Sequence, residues 1–118
     1  MPYQSILKSL AENVPHSIGA IIVDWEGEAV QEFCHCDPYD LRFVGAHTGI
    51  ILAQLKKLYS SGNGGEISDV LVTASGGHLI VGCIDREYSL VLNVERECPA
   101  ALALYHFRIT VAHLKKEF

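Results

Sequence analysis

The chain has 118 residues, 49% of them hydrophobic and only 19% charged, with 9 Lys and Arg against 14 Asp and Glu for a net charge of −5. That length suits one domain spanning residues 1–118, and so few charges leave apolar surface in need of a partner, with a second copy as the default expectation. The acidic balance gives no footprint for phosphate backbones and disfavours nucleic acid. No apolar run is long enough to span a membrane, and Met1 to Asn13 does not read as a signal peptide, so a cytoplasmic location is expected.

Pro2 suits a first helical turn, and Ile6, Leu7, Leu10 and Val14 follow on one helical face until Pro15 stops the run. Ser17 to Trp25 reads as a strand covered on both sides, because Ile18, Ala20 and Ile22 alternate with Ile21 and Val23. Glu26-Gly27 turns into Glu28 to Cys34, whose interrupted apolar pattern fits an edge strand. Asp37 is a natural N-cap with Pro38 behind it, opening a second helix that runs to about Tyr59. Ser60 to Gly65, rich in Ser and Gly, forms the next loop.

Ile67 to Ser75, Leu79 to Asp85 and Tyr88 to Val94 are short apolar runs joined by Gly76-Gly77 and by Asp85-Arg86-Glu87. Connections that short only reverse the chain, so the three form an antiparallel meander. Pro99 then opens a last helix reaching almost to Phe118.

At about 100° per residue the middle helix places Leu41, Val44, Ile51, Leu52, Leu55, Leu58 and Tyr59 on one arc, the expected sheet-facing stripe. Phe43, His47 and Ile50 fall outside it. Gly45, Gly49 and Ala53 form a third strip of small residues, expected to let the helix pack antiparallel against its own copy across a two-fold axis; the alternative is that the glycines are merely tolerated or packed under a loop. In the last helix, Ala100, Ala103, Leu104, Phe107, Val111, Leu114 and Phe118 suit the sheet. Leu102, Tyr105, Ile109 and Ala112 make a second stripe that the first helix is expected to cover.

Motifs for chemistry are sparse. Cys34-His35-Cys36 would need another ligand, such as His78 or His106, to build a tetrahedral metal site, and no metal is expected. Cys98 stands before a helix N-terminus, where a thiol is sometimes activated, although an ordinary reduced thiol is the simpler reading. His16, His35, His47, His78, His106 and His113 are scattered, and neither a nucleophile motif nor a Walker loop is present. No catalytic residues and no cofactor are expected.

Val14-Pro15, Gly19-Ala20-Ile21-Ile22-Val23-Asp24 and Gly27, followed by Leu71-Val72-Thr73, Gly77, Leu79 and Val81, resemble the opening segment and central hairpin of the roadblock/LC7 family. The whole element order is similar too, and the resemblance covers nearly the entire chain. His16-Ser17 departs from it, since many members have glycine and a valine there. The resemblance implies an α/β (α+β) sandwich ordered α-β-β-α-β-β-β-α. Its five-stranded antiparallel sheet would have the order 2-1-5-4-3, with the middle helix on one face and the terminal helices on the other.

The resemblance also implies a homodimer joined through the third strand and the middle helices, with Gly45, Gly49, Ala53, Ile50, Phe43, Ile67, Asp69, Leu71 and Thr73 at the interface. Its recurrent role is to bind and regulate a Ras-like small GTPase, here through Arg42, His47, Gln54 and Lys57 on the middle helix. The alternative is an adaptor or scaffold light chain without effect on nucleotide turnover. An arginine finger from Arg42 or Arg86 is conceivable, and nothing in the sequence selects either.

Overall fold

The computed structural model describes residues 2–60 and 65–118. Its elements run α1 (Pro2–Asn13), β1 (Ser17–Asp24), β2 (Ala29–Cys34), α2 (Pro38–Ser60), β3 (Asp69–Ala74), β4 (Gly77–Cys83), β5 (Tyr88–Glu95) and α3 (Ala100–Glu117). This is the expected order, with most ends within two residues of the expected ones. Of the loop expected at 60–65, residues 61–64 lie outside the described residues.

All four strand pairings are antiparallel, and the sheet order is β2-β1-β5-β4-β3. The alternation along β1 divides the interior in two. Ala20 and Ile22 join Ile80, Leu90 and Leu92 beneath α1 and α3, where Leu7, Leu10, Phe107 and Leu114 are buried. Ile21 and Val23 face the other way, joining Val81 and Val91 beneath Leu41 and Leu52 of α2. Residues two apart share a sheet face, so one apolar strand supplies both cores.

Local chemistry fixes the junctions. Asp37 caps α2 by accepting the Tyr39 amide at 3.0 Å. Asp24 closes the β1–β2 turn, its Oδ1 accepting the amides of Glu26 at 2.9 Å and Glu28 at 3.0 Å, while Gly27 takes a φ of 85°. His16 has a φ of 60°, a left-handed backbone that glycine adopts with least strain, at the position where the resemblance expects glycine.

The β3–β4 turn corrects an expectation. The tight turn lies at Ser75-Gly76, because Ala74 pairs with Gly77. Neither turn residue has the left-handed φ assumed for the glycine pair. Gly77 is needed for another reason: a Cβ there would collide with the Val94 carbonyl oxygen.

Candidate functional site: an uncovered edge strand and the outer face of α2

Strand β3 ends the sheet, and its packing is chiefly with β4, since neither α2 nor α3 lies substantially over it. Consequently Leu71 at 40% and Val72 at 47% are both exposed although they point to opposite faces. Thr73 is exposed too, its hydroxyl 2.9 Å from Nδ1 of His78 on β4. Asp69 accepts a two-pronged contact from Arg108 of α3, Nε to Oδ2 at 2.9 Å and Nη2 to Oδ1 at 3.0 Å. Ile67 precedes the strand and packs against the smaller core, so the edge strand is shorter than the expected Ile67 to Ser75.

The inward line of α2 differs from the expected arc. Leu41 and Leu52 are buried, with Val44 and Leu55 half-buried as expected, but Ile51, Leu58 and Tyr59 are exposed, and Gly45 and Thr48 are buried instead. The cause is Gly45. A Cβ on Gly45 would stand 3.1 Å from Val23 Cγ1 and 3.2 Å from Ile21 Cγ2, and one on Gly49 would stand 3.8 Å from Val23 Cγ2. Gly45 therefore lets α2 settle onto β1 of its own chain, whereas the distance at Gly49 is an ordinary contact. As a close-contact surface for a second helix, the reading of Gly45 is corrected; Ala53 remains exposed and Gly49 partly so.

With the helix turned this way, its outer face is apolar for most of its length. Tyr39, Phe43 (58%), Ile50, Ile51, Leu58 (65%) and Tyr59 are all exposed. His47 lies against Phe43 with ring centroids 4.3 Å apart and the rings tilted by 36°, and its Nδ1–H donates to the Phe43 carbonyl at 2.8 Å. Gln54 and Lys57 lie exposed further along the same helix. Arg42 is exposed but occupied: its guanidinium sits on Glu32 of β2 through Nε, 2.8 Å from Oε1 and 3.1 Å from Oε2, and through Nη2. That carboxylate raises the Arg42 pKa above its ordinary value. Arg86 is exposed at the β4–β5 turn.

The helical stripe Leu102, Tyr105, Ile109 and Ala112 also departs from expectation. All four are exposed, because the groove between α1 and α3 runs along His106, Thr110 and His113 and meets the stripe only at Ile109. Helix α1 has to lie over β1 and β2 as well, and that requirement displaces it from the stripe.

The cysteines do not gather a metal site. Cys34 Sγ donates to the Cys36 carbonyl at 3.0 Å. His78 lies three strand spacings from Cys34, on the order of 14 Å at ~4.8 Å per strand. Burial, then the adjacent Cys34, pushes the Cys36 thiol up to about 11. Burial also raises the Cys98 thiol, so the helix N-terminus does not activate it. Among the described residues, three groups do converge, His16, Glu95 and Glu97, all exposed. Their separation in sequence hid that grouping. The sequence reading also passed over Trp25, whose side chain is 74% exposed beside the β1–β2 turn.

No helix among the described residues is long and apolar enough to cross a membrane. No protein-family model matches the chain, and no curated protein matches it. Solved structures do. A roadblock/LC7 domain from Streptomyces avermitilis superimposes with a TM-score of 0.86 at 20% identity, covering 97% of this chain and 95% of that one. MglB of Myxococcus xanthus gives a TM-score of 0.89 at 14% identity over 100% of this chain and 95% of that one. An MglB with a tetrameric arrangement gives 0.84 at 14% identity, covering 95% and 84%. The chain has the roadblock/LC7 fold.

Proposed function

We propose that the chain is a non-catalytic homodimer that binds and regulates a Ras-like small GTPase. The observation that carries this reading is the pairing of two uncovered surfaces, β3 exposed on both faces from Leu71 to Ala74 and α2 apolar on its outer face. An edge strand with free amides and carbonyls pairs readily with another strand, and its own copy supplies a matching one. Two antiparallel β3 strands would extend the sheet through Asp69, Leu71 and Thr73, with Ile67 beside the junction. Helix α2 of each copy would meet the other through Phe43, Ile50 and Ala53, with Gly49 at the margin.

The GTPase would then engage His47, Gln54 and Lys57, and Arg42 if it is released from Glu32. A dimeric platform of this kind acts by favouring one arrangement of the GTPase switch segments. The roadblock/LC7 resemblance supports that class of partner, and in this reading nucleotide binding falls to the partner, in keeping with a sequence that carries no Walker motif.

The second reading is an adaptor that holds its partner without changing turnover. The engagement of Arg42 by Glu32 favours it, because a guanidinium occupied in this way is not poised to enter another protein's active site. The test incubates the purified chain with Ras-like GTPases encoded in the same genome and follows hydrolysis and nucleotide release. Regulation changes one of these rates. A complex with unchanged rates supports the adaptor, and no complex with any of them overturns both readings.

A further inference from the structure

A cleft of about 730 Å³ opens where the end of α2, the residues leading into β3, the β4–β5 turn and the end of α3 come together. Ile67, Val111 and Ala112 give it apolar lining, while Lys56, Arg86 and Lys115 reach it from three separate elements. Its volume is that of an ordinary ligand pocket.

The charge here runs against the rest of the molecule. The chain carries −5, yet four of its nine basic residues and only three of its fourteen acidic ones line this cleft. Two of those three acids are engaged. Asp69 is held by Arg108, and Asp85 Oδ1 accepts the Glu87 amide at 2.8 Å and the Tyr88 amide at 2.9 Å. Arg108 is likewise committed. Lys56, Arg86 and Lys115 make no hydrogen bond or ion pair among the described residues, so three cations border an apolar surface with Glu66 as the one lining carboxylate not already held.

We propose that this cleft receives an acidic peptide segment of a partner protein, with an apolar side chain on the floor and carboxylates on Lys56, Arg86 and Lys115. A small inorganic anion would leave the apolar floor uncovered, and an apolar ligand would leave the cations unmatched. An extended chain alternating acidic and apolar residues satisfies both. Electrostatic complementarity of this kind speeds encounter and weakens as salt is added. The site is separate from the outer face of α2 but borders the proposed β3 junction at Ile67 and Asp69, and its occupancy does not depend on a GTPase partner.

The test titrates the full chain into a fluorescein-labelled peptide of alternating glutamate and leucine, with a glutamine-leucine peptide as control, and reads anisotropy at low and high salt. The acidic peptide is expected to bind and to weaken about tenfold or more in the double variant Arg86→Glu, Lys115→Glu and at high salt. Lys8→Glu, on α1, should leave binding unchanged. Ala112→Trp, which fills the floor without altering charge, should weaken it as well. The mass of each variant is measured alongside. Equal binding of the glutamine peptide, binding indifferent to the charge reversals, or no binding up to roughly 1 mM peptide overturns the proposal. So does a double variant whose main defect is a changed oligomeric mass, because the cleft would then be a surface between copies.

Discussion

Phe107 of α3 lies against the backbone of Gly82 on β4, its ring Cε1 2.8 Å from the point where a glycine Cβ would stand. The ring is fully buried and belongs to the larger core. Helix and sheet therefore meet at a distance that only glycine permits. Gly82→Ala is expected to lose about 1–3 kcal/mol by overpacking, and Phe107→Ala about 3–5 kcal/mol by leaving a cavity. Urea unfolding measures both. A Gly82→Ala variant as stable as the parent would show that the ring yields freely.

Gly45 and Ile50 should separate folding from association. Gly45→Leu places a branched side chain where Val23 and Ile21 already stand, and should lower stability by about 1–3 kcal/mol. Ile50→Glu lies on the exposed side of α2 and should leave the folded protomer intact while halving the mass seen by light scattering. An undiminished mass for Ile50→Glu would remove the outer face of α2 from the proposed dimer.

Lysines on an edge strand discourage strand pairing while leaving the strand itself folded. Leu71→Lys combined with Val72→Lys should therefore yield a monomer with an unchanged circular dichroism spectrum. A dimer that persists in this variant would rule out β3 as the joining strand.

Cys36 supplies a pH-dependent test. Burial, then the hydrogen bond and charge of Cys34, lifts its thiol from 9.0 to about 11 in the folded chain. Alkylation of Cys36, followed by peptide mass spectrometry, should stay slow in the folded chain until the pH approaches 11 and become faster near pH 9 in urea. A raised folded value means that the associated stability is present below pH 9.0 and is lost as the pH rises through about 11. Cys36→Ser should flatten that part of the pH profile.

The sequence carried the element order because each junction has its own local signal: Pro15, Gly27, Asp37 with Pro38, and Pro99. It also showed that β1 serves two cores, since alternation along an apolar strand is legible without knowing the neighbours. The facing of the helices was less accessible. Helix α2 has apolar residues around most of its circumference, so periodicity alone did not say which stripe turns inward. Gly45 decides the matter by allowing the close approach to Ile21 and Val23, a relation visible only once β1 and α2 are placed together. The covering of α3 failed for a similar reason, because α1 also has to shield β1 and β2. At Gly76-Gly77 the two glycines signalled a turn correctly, but pairing with Ala74 and the nearness of the Val94 carbonyl moved it by one residue. The exposed strip of β3 was legible as an apolar strand, whereas the lack of cover on both faces from Leu71 to Ala74 was not.

The two cores are unequal: among the described residues, fifteen buried ones make up the core shared with α1 and α3, and six the core shared with α2. Because α2 buries only Leu41 and Leu52 among its large side chains, its grip on the sheet is the weaker one, and local opening should begin there. Amide exchange along α2 would then be faster at high dilution and slower as protein concentration rises, since any copy that settles on its outer face adds the cover the protomer lacks. The helix most exposed to partners is thus also the one whose persistence depends most on having them.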